Sequence, residues 1–234
     1  MSQVQTSTNA YSAVSALLFK AFKLSAVGVI ISAIAAYFTL SSAALVSLAT
    51  SGTMVIVFLV VWFGVGFMFH RISEKVSPAI ARLIYFAFSA FTGFALSPVL
   101  LVYSSNIVLL AFLATIAVMV GAAMYGYFTK KDMTGLAPFL SIACIGLIIF
   151  AVILIGMSFF STVPSWLDLF FSALVVPLIT VLLAFKVNMV RKAFVNTNLS
   201  ELELNQLATP LAFSFYLDFV VLFLHIMNLL NGRD

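Results

Sequence analysis

The chain has 234 residues, of which 64% are hydrophobic and only 8% charged, and its mean hydropathy is +1.24. That leaves too little polar surface to coat a water-soluble globule, so the composition specifies an integral membrane protein whose first partner is the lipid bilayer. The net charge of +4 requires no nucleic-acid partner, because the basic residues fall where topology determinants belong and form no aromatic-interleaved patch. Cys144, the single cysteine, lies in an apolar stretch and excludes an intrachain disulfide.

Residues 1–20 are polar and uncharged until Lys20, and they lead into an apolar run too long for a signal-peptide core. They read as a short mobile cytoplasmic tail, with residues 21–234 as one seven-helix transmembrane domain. Crossing a hydrocarbon core of roughly 30 Å takes about 20 apolar residues. Seven runs meet that need, at 24–46, 54–69, 79–103, 107–128, 136–160, 166–186 and 210–230. The alternating ten-residue segments of a barrel are absent, so the fold class is all-α. Pro98, Pro138 and Pro177 read as kink sites, while Gly64 with Gly66, Gly121 with Gly126, and Gly28 with Ser32 read as points of close helix approach. Between the last two spans, Ser200-Glu-Leu-Glu has capping-box spacing and predicts a small interfacial helix. Pro210 then reads as the first residue of the last span, which places Asp218 about 12 Å along it at roughly 1.5 Å per residue.

Orientation follows from Lys and Arg. Lys20, Lys23, Arg71, Lys75, Arg82, Lys130, Lys131, Lys186, Arg191 and Lys192 flank the even-numbered connections and the N-terminus, whereas Arg233 alone falls on the other side. Cytoplasmic loops retain positive charge, so the N-terminus is expected in the cytoplasm and the C-terminus outside.

Asp218 sits in the middle of the last apolar run. A charge buried in lipid costs about 2.5–3.5 kcal/mol on insertion scales, so this acid needs a partner, water, a cation or its own proton. His225 follows by seven residues, two helical turns, and shares its face. The pair reads either as a proton relay or, more plainly, as an acid with a histidine that hydrogen-bonds a neighbouring carbonyl near the outer interface. Lys186 closes the sixth run; its depth favours snorkelling to the headgroups over reaching inward to Asp218. Enzyme signatures are missing: the two histidines give no HExxH, one cysteine gives no thiolate cluster, and neither a nucleophile elbow nor a phosphate loop appears. No cofactor, metal site or catalysis is expected.

The segment Phe215-Tyr-Leu-Asp-Phe-Val-Val-Leu-Phe-Leu resembles the closing motif of the Bax inhibitor-1 family. Ser77-Pro-Ala-Ile-Ala-Arg-Leu-Ile-Tyr-Phe and Ala122-Ala-Met-Tyr-Gly-Tyr-Phe-Thr-Lys-Lys-Asp-Met-Thr-Gly-Leu are similar to bacterial members, so the resemblance runs from about residue 21 to the end. It implies seven helices with the last one central and surrounded by the other six, in a bacterial-type inner membrane. In members studied as cation leaks, the closing aspartate pairs with a second aspartate in an Ala-Tyr-Asp-Thr-Gln motif ending span six, and the two acids gate Ca²⁺ passage with pH. Here the equivalent stretch is Ala184-Phe-Lys-Val-Asn, which puts Lys186 where the second acid belongs. Val221 replaces the usual asparagine, and Asn228 the usual basic residue. The leading reading is a pH-influenced cation leak or transport pathway, for Ca²⁺ or protons, with Asp218 as its central polar group and Lys186 and His225 beside it. The alternative is a non-conducting regulator that binds membrane proteins or a membrane-embedded protease.

Overall fold

The computed structural model describes residues 2–160, 164–194 and 200–232, and among them no strand occurs. Eight helices follow in order: α1 (Ser2–Leu40), α2 (Ala43–Ala49), α3 (Gly52–Lys75), α4 (Pro78–Val102), α5 (Ser105–Phe128), α6 (Ala137–Phe160, entered through a 3-10 turn at Thr134–Leu136), α7 (Ser165–Phe194) and α8 (Glu201–Asn231). Among the described residues seven segments are long and apolar enough to cross a membrane: Ala13–Leu40, α3, α4, α5, Thr134–Met157, α7 and α8. The all-α reading therefore holds. Arg233, used above for orientation, and residues 161–163 of the fifth connection lie outside the described residues.

The first span sits earlier than the sequence suggests. Its helix begins at Ser2, so the residues read as a tail are helical, and Val14, Leu17 and Leu18 are buried. Before Gly28 nothing in the chain breaks a helix. The helix stops at Leu40 rather than near residue 46, because Ser41 turns its hydroxyl onto Phe38 O (2.8 Å) and Ser42 adopts extended backbone (φ −131°, ψ 116°) to start the short α2. Serine side chains compete with the helical ladder in this way.

Serines also start three spans. Ser51 accepts from Met54 N at the head of α3, and Ser77 accepts from Ile80 N at the head of α4, where Pro78 occupies the first helical position. The capping box at Ser200 forms as its spacing predicts: Ser200 N donates to Glu203 Oε2 (2.8 Å) and Glu203 N to Ser200 Oγ (3.3 Å). It does not start a separate interfacial helix. The capped helix is α8 itself, and it continues through Pro210 to Asn231. A proline removes one donor, and here it interrupts a helix already two and a half turns long. Asp218 thus stands 17 residues beyond the start of α8, about 26 Å along the axis rather than about 12 Å.

The chain divides into two compact units, Met1–Ser104 with Phe194–Leu217, and Ser105–Ala193 with Asp218–Asp234. In the first, α4 is the packing centre for α1, α2 and α3. Gly93 meets the backbone of Ser32 so closely that a Cβ there would collide with it. Tyr216 OH and Ser32 Oγ lie 2.7 Å apart, and since the serine proton goes to Ser89 O (2.7 Å), the phenol is the donor. Phe213 stacks on Phe69 (centroids 4.0 Å, 20°) and meets Tyr85 edge-on (5.8 Å, 87°). In the second unit Leu154, Phe171 and Val175 form a buried cluster joined by Phe150, Ile179 and Val221. Of the glycines read as approach points, Gly28 and Gly126 are in tight contact, whereas Gly64 and Gly121 have nothing within 4 Å. α8 is the most enclosed span, with 56% of its apolar window buried against at most 33% in the others.

Candidate functional site

Asp218 is carried by an apolar stretch of α8, between Leu217 and Phe219, and is only 5% exposed. A buried carboxylate needs a donor or a counter-charge to compensate it. That partner comes from α7. Lys186 Nζ lies 2.8 Å from both Asp218 Oδ1 and Oδ2, with side-chain exposures of 24% for the lysine and 6% for the acid. A single ammonium thus sits astride the carboxylate, and each charge is the other's principal compensation.

This corrects the expectation that Lys186 reaches the headgroups. That reading took the lysine as the end of a span at residue 186, whereas α7 continues to Phe194, eight residues or about 12 Å further. Lys186 is therefore an interior residue of its helix. Its ammonium turns to Asp218, 2.8 Å away.

The next turn of α8 is apolar. Val221 packs on the cluster of Leu154, Phe171 and Val175, and Leu222 is fully buried. Beyond it a second polar group forms. Asn228 Nδ2 donates to Asp168 Oδ2 (2.8 Å) and to Ser172 Oγ (2.9 Å), and Ser172 Oγ lies 2.9 Å from His225 Nδ1. Ser172 Oγ thus links Asn228 to the imidazole, and its hydroxyl donates to Nδ1 in one histidine tautomer and accepts from it in the other. The Phe171 ring meets the imidazole edge-on at 5.3 Å. So the structure brings Lys186 and Asp218 together and gives His225 a different partner, with Val221 and Leu222 between the two groups on the shared face. The partner is a hydroxyl rather than the carbonyl expected of an interfacial histidine.

The opposite end of α7 is fastened to α5. A helix leaves its last carbonyls without intrahelical donors. Thr129 N donates to Tyr125 O at the end of α5, and α7 supplies three further donors: Asn188 Nδ2 donates to Gly126 O (3.2 Å), Arg191 Nη1 to Tyr127 O, and Arg191 Nη2 to Thr129 O just past the helix (2.7 Å). Gly126 makes room for this, since a Cβ there would collide with the backbone of Ala184. Asn188 is fully buried and its Oδ1 has no partner, an arrangement that costs about 1–3 kcal/mol. Lys192 pairs with Asp132, which also accepts from Thr134 N (2.8 Å). The Lys192 ammonium and the Thr134 donors hold the Asp132 carboxyl well below the usual carboxylate range.

Sequence reasoning missed Ser172, Asn188 and Arg191 as members of these networks. Arg191 was absorbed as a topology charge, and the signal for Asn188 was an amide within an apolar span, which is expensive unless it bonds. Among the described residues no group of three or more His, Cys, Asp or Glu side chains is placed to hold a metal ion.

Residues 14–234 match the family described as "Inhibitor of apoptosis-promoting Bax1". The chain is 29% identical over 217 residues to a protein of Borreliella burgdorferi, covering 92% of this chain and 91% of that one. It is 24% identical over 208 residues to the inner membrane protein YbhL of Escherichia coli, covering 88% and 87% respectively. It is 31% identical over 175 residues to a membrane protein of Streptococcus pyogenes, covering 72% and 70%. With seven segments able to span a membrane and the family match extending over nearly its whole length, the chain belongs to the Bax inhibitor-1 family.

Proposed function

We propose that this protein is a multi-pass inner-membrane protein that acts as a pH-influenced cation leak, with Asp218 as its central polar group and Lys186 as the built-in counter-ion that holds it closed. The observation that carries this reading is the buried carboxylate held at 2.8 Å by one ammonium through both oxygens. Protonation of Asp218 would neutralise it and remove the charge that retains Lys186, so acid is the natural signal for opening. Ca²⁺ wants six to eight oxygen ligands, and in the paired state both Asp218 oxygens already face a cation. Passage of Ca²⁺ or of protons therefore requires the pair to part. The ten-to-one distribution of basic residues supports a cytoplasmic N-terminus and an external C-terminus. We assign the protein no catalytic role and no cofactor.

A second reading has its own support. An acid saturated by a lysine is also what a static brace needs, and it fits a non-conducting regulator that binds membrane proteins or a membrane-embedded protease. Flux decides between them. Proteoliposomes of the purified protein, loaded with Ca²⁺- and proton-sensitive dyes, are expected to leak more as pH falls, and Asp218→Asn is expected to alter that dependence. No flux of either ion at any pH would leave the regulator as the function.

A further inference from the structure

Helix α7 uses two sides for two purposes. Ala184, Asn188 and Arg191 recur at intervals of four and three residues and so share one face, which lies against the end of α5. Lys186 is two residues from both Ala184 and Asn188, about 200° around the axis, and it meets α8. We propose that Asn188 and Arg191 are positioning residues for the Lys186–Asp218 pair: by capping the C-terminus of α5 they fix the axial position of α7, and with it the depth at which the ammonium is presented to α8.

Three features support this. The cap consists of directional bonds, one from the amide and two from the guanidinium fork, to carbonyls of Gly126, Tyr127 and Thr129 that have fixed positions at the end of a helix. A slide of α7 by one residue, about 1.5 Å, would strain all three and would displace Lys186 Nζ from its place 2.8 Å from both Asp218 oxygens. The Gly126 and Ala184 backbones touch, so the seam has no soft side chain to absorb such a slide. And the chain keeps at position 188 a fully buried amide whose nitrogen donates to Gly126 O. Arg191 adds a positive charge at the negative end of the α5 dipole, yet charge alone would not fix depth. The proposal concerns the geometry of the pair and holds whether the pair gates a flux or braces a docking surface.

The test is a mutant cycle on the full-length protein in lipid nanodiscs, read by thermal unfolding. Arg191→Gln and Arg191→Lys are each made in the wild type and in a Lys186→Met/Asp218→Leu background that has no ion pair. Arg191 does not touch Asp218, so a cap that acts only locally lowers the midpoint equally in both backgrounds. A positioning role predicts a drop in the wild type roughly twofold larger than in the pair-free background. Arg191→Lys should behave like Gln, because it keeps the charge and loses the fork. Equal drops in both backgrounds, or a silent Arg191→Lys, overturns the proposal. A second readout serves if the pair-free background does not fold: the infrared carboxylate stretch of Asp218, assigned as the band lost in Asp218→Asn, should move in Asn188→Leu and Arg191→Gln. An unmoved band refutes the positioning role.

Discussion

Lys186→Met removes the ammonium while keeping an unbranched stem of similar length. It leaves Asp218 buried at 5% exposure without its partner. Breaking a buried pair by removing one member costs about 3–5 kcal/mol. The Lys186 side chain retains 24% exposure, so the pair is not fully enclosed and the lower end applies, about 3 kcal/mol. At about 2–4 °C per kcal/mol for a chain of this size, the unfolding midpoint at neutral pH should fall by about 6–12 °C. The companion variant Lys186→Met/Asp218→Leu removes both charges, and apolar replacement of a buried pair is often neutral or stabilising by about 1–4 kcal/mol. The double variant should therefore recover most or all of the lost midpoint. Both are measured by thermal unfolding of purified protein in the same detergent or nanodisc, with light scattering to confirm that the protein stays monodisperse. A single variant indistinguishable from wild type would mean that the ion pair does not form in the membrane. A double variant as unstable as the single would mean that the loss comes from packing around position 186 rather than from an orphaned charge.

The remaining expectations are simpler. Cysteines introduced at Lys131 and Gly232 in a Cys144→Ala background should react with an impermeant maleimide from opposite sides of right-side-out vesicles; reaction of both from one side would refute the orientation. Gly93→Ala places a methyl group against the Ser32 backbone, with no flexible side chain to yield, and should lower stability by about 1–3 kcal/mol; an unchanged midpoint would mean that α1 and α4 are further apart than described. Asp132, held ionised by Lys192 and Thr134, has a depressed folded pKa, so its contribution to stability is complete above the ordinary aspartate value of 3.8 and fades as pH falls below it. The stability difference between wild type and Asp132→Asn should accordingly be constant from neutral pH to about 5 and shrink in stronger acid, and a difference that grows on acidification would reverse the sign of the argument.

The sequence by itself determined the solvent, the number of spans and several of their starts. Transfer of an apolar run into lipid and the capping box of Ser200 with Glu203 are energies settled among neighbours along the chain, and a reader of the sequence has all the participants in view, although the box opens α8 itself rather than a separate helix. Asp218 was legible for the same reason, because one carboxylate among twenty apolar residues is costly wherever the other helices lie. Its partner was not. Lys186 looks like a span boundary when only its own segment is considered, and becomes an interior residue once α7 runs on to Phe194. Whether it then meets Asp218, 32 residues away in sequence, depends on the axial offset of two helices. The same holds for His225, whose partner Ser172 lies 53 residues away, and for Arg191, which reads as a loop charge until the carbonyls of α5, more than 60 residues before it, are placed within its reach. Local chemistry fixes which groups must be satisfied, and only the packing of helices fixes by what, since a hydrogen bond is lost with a shift of little more than an ångström while the apolar pattern that drives insertion tolerates several.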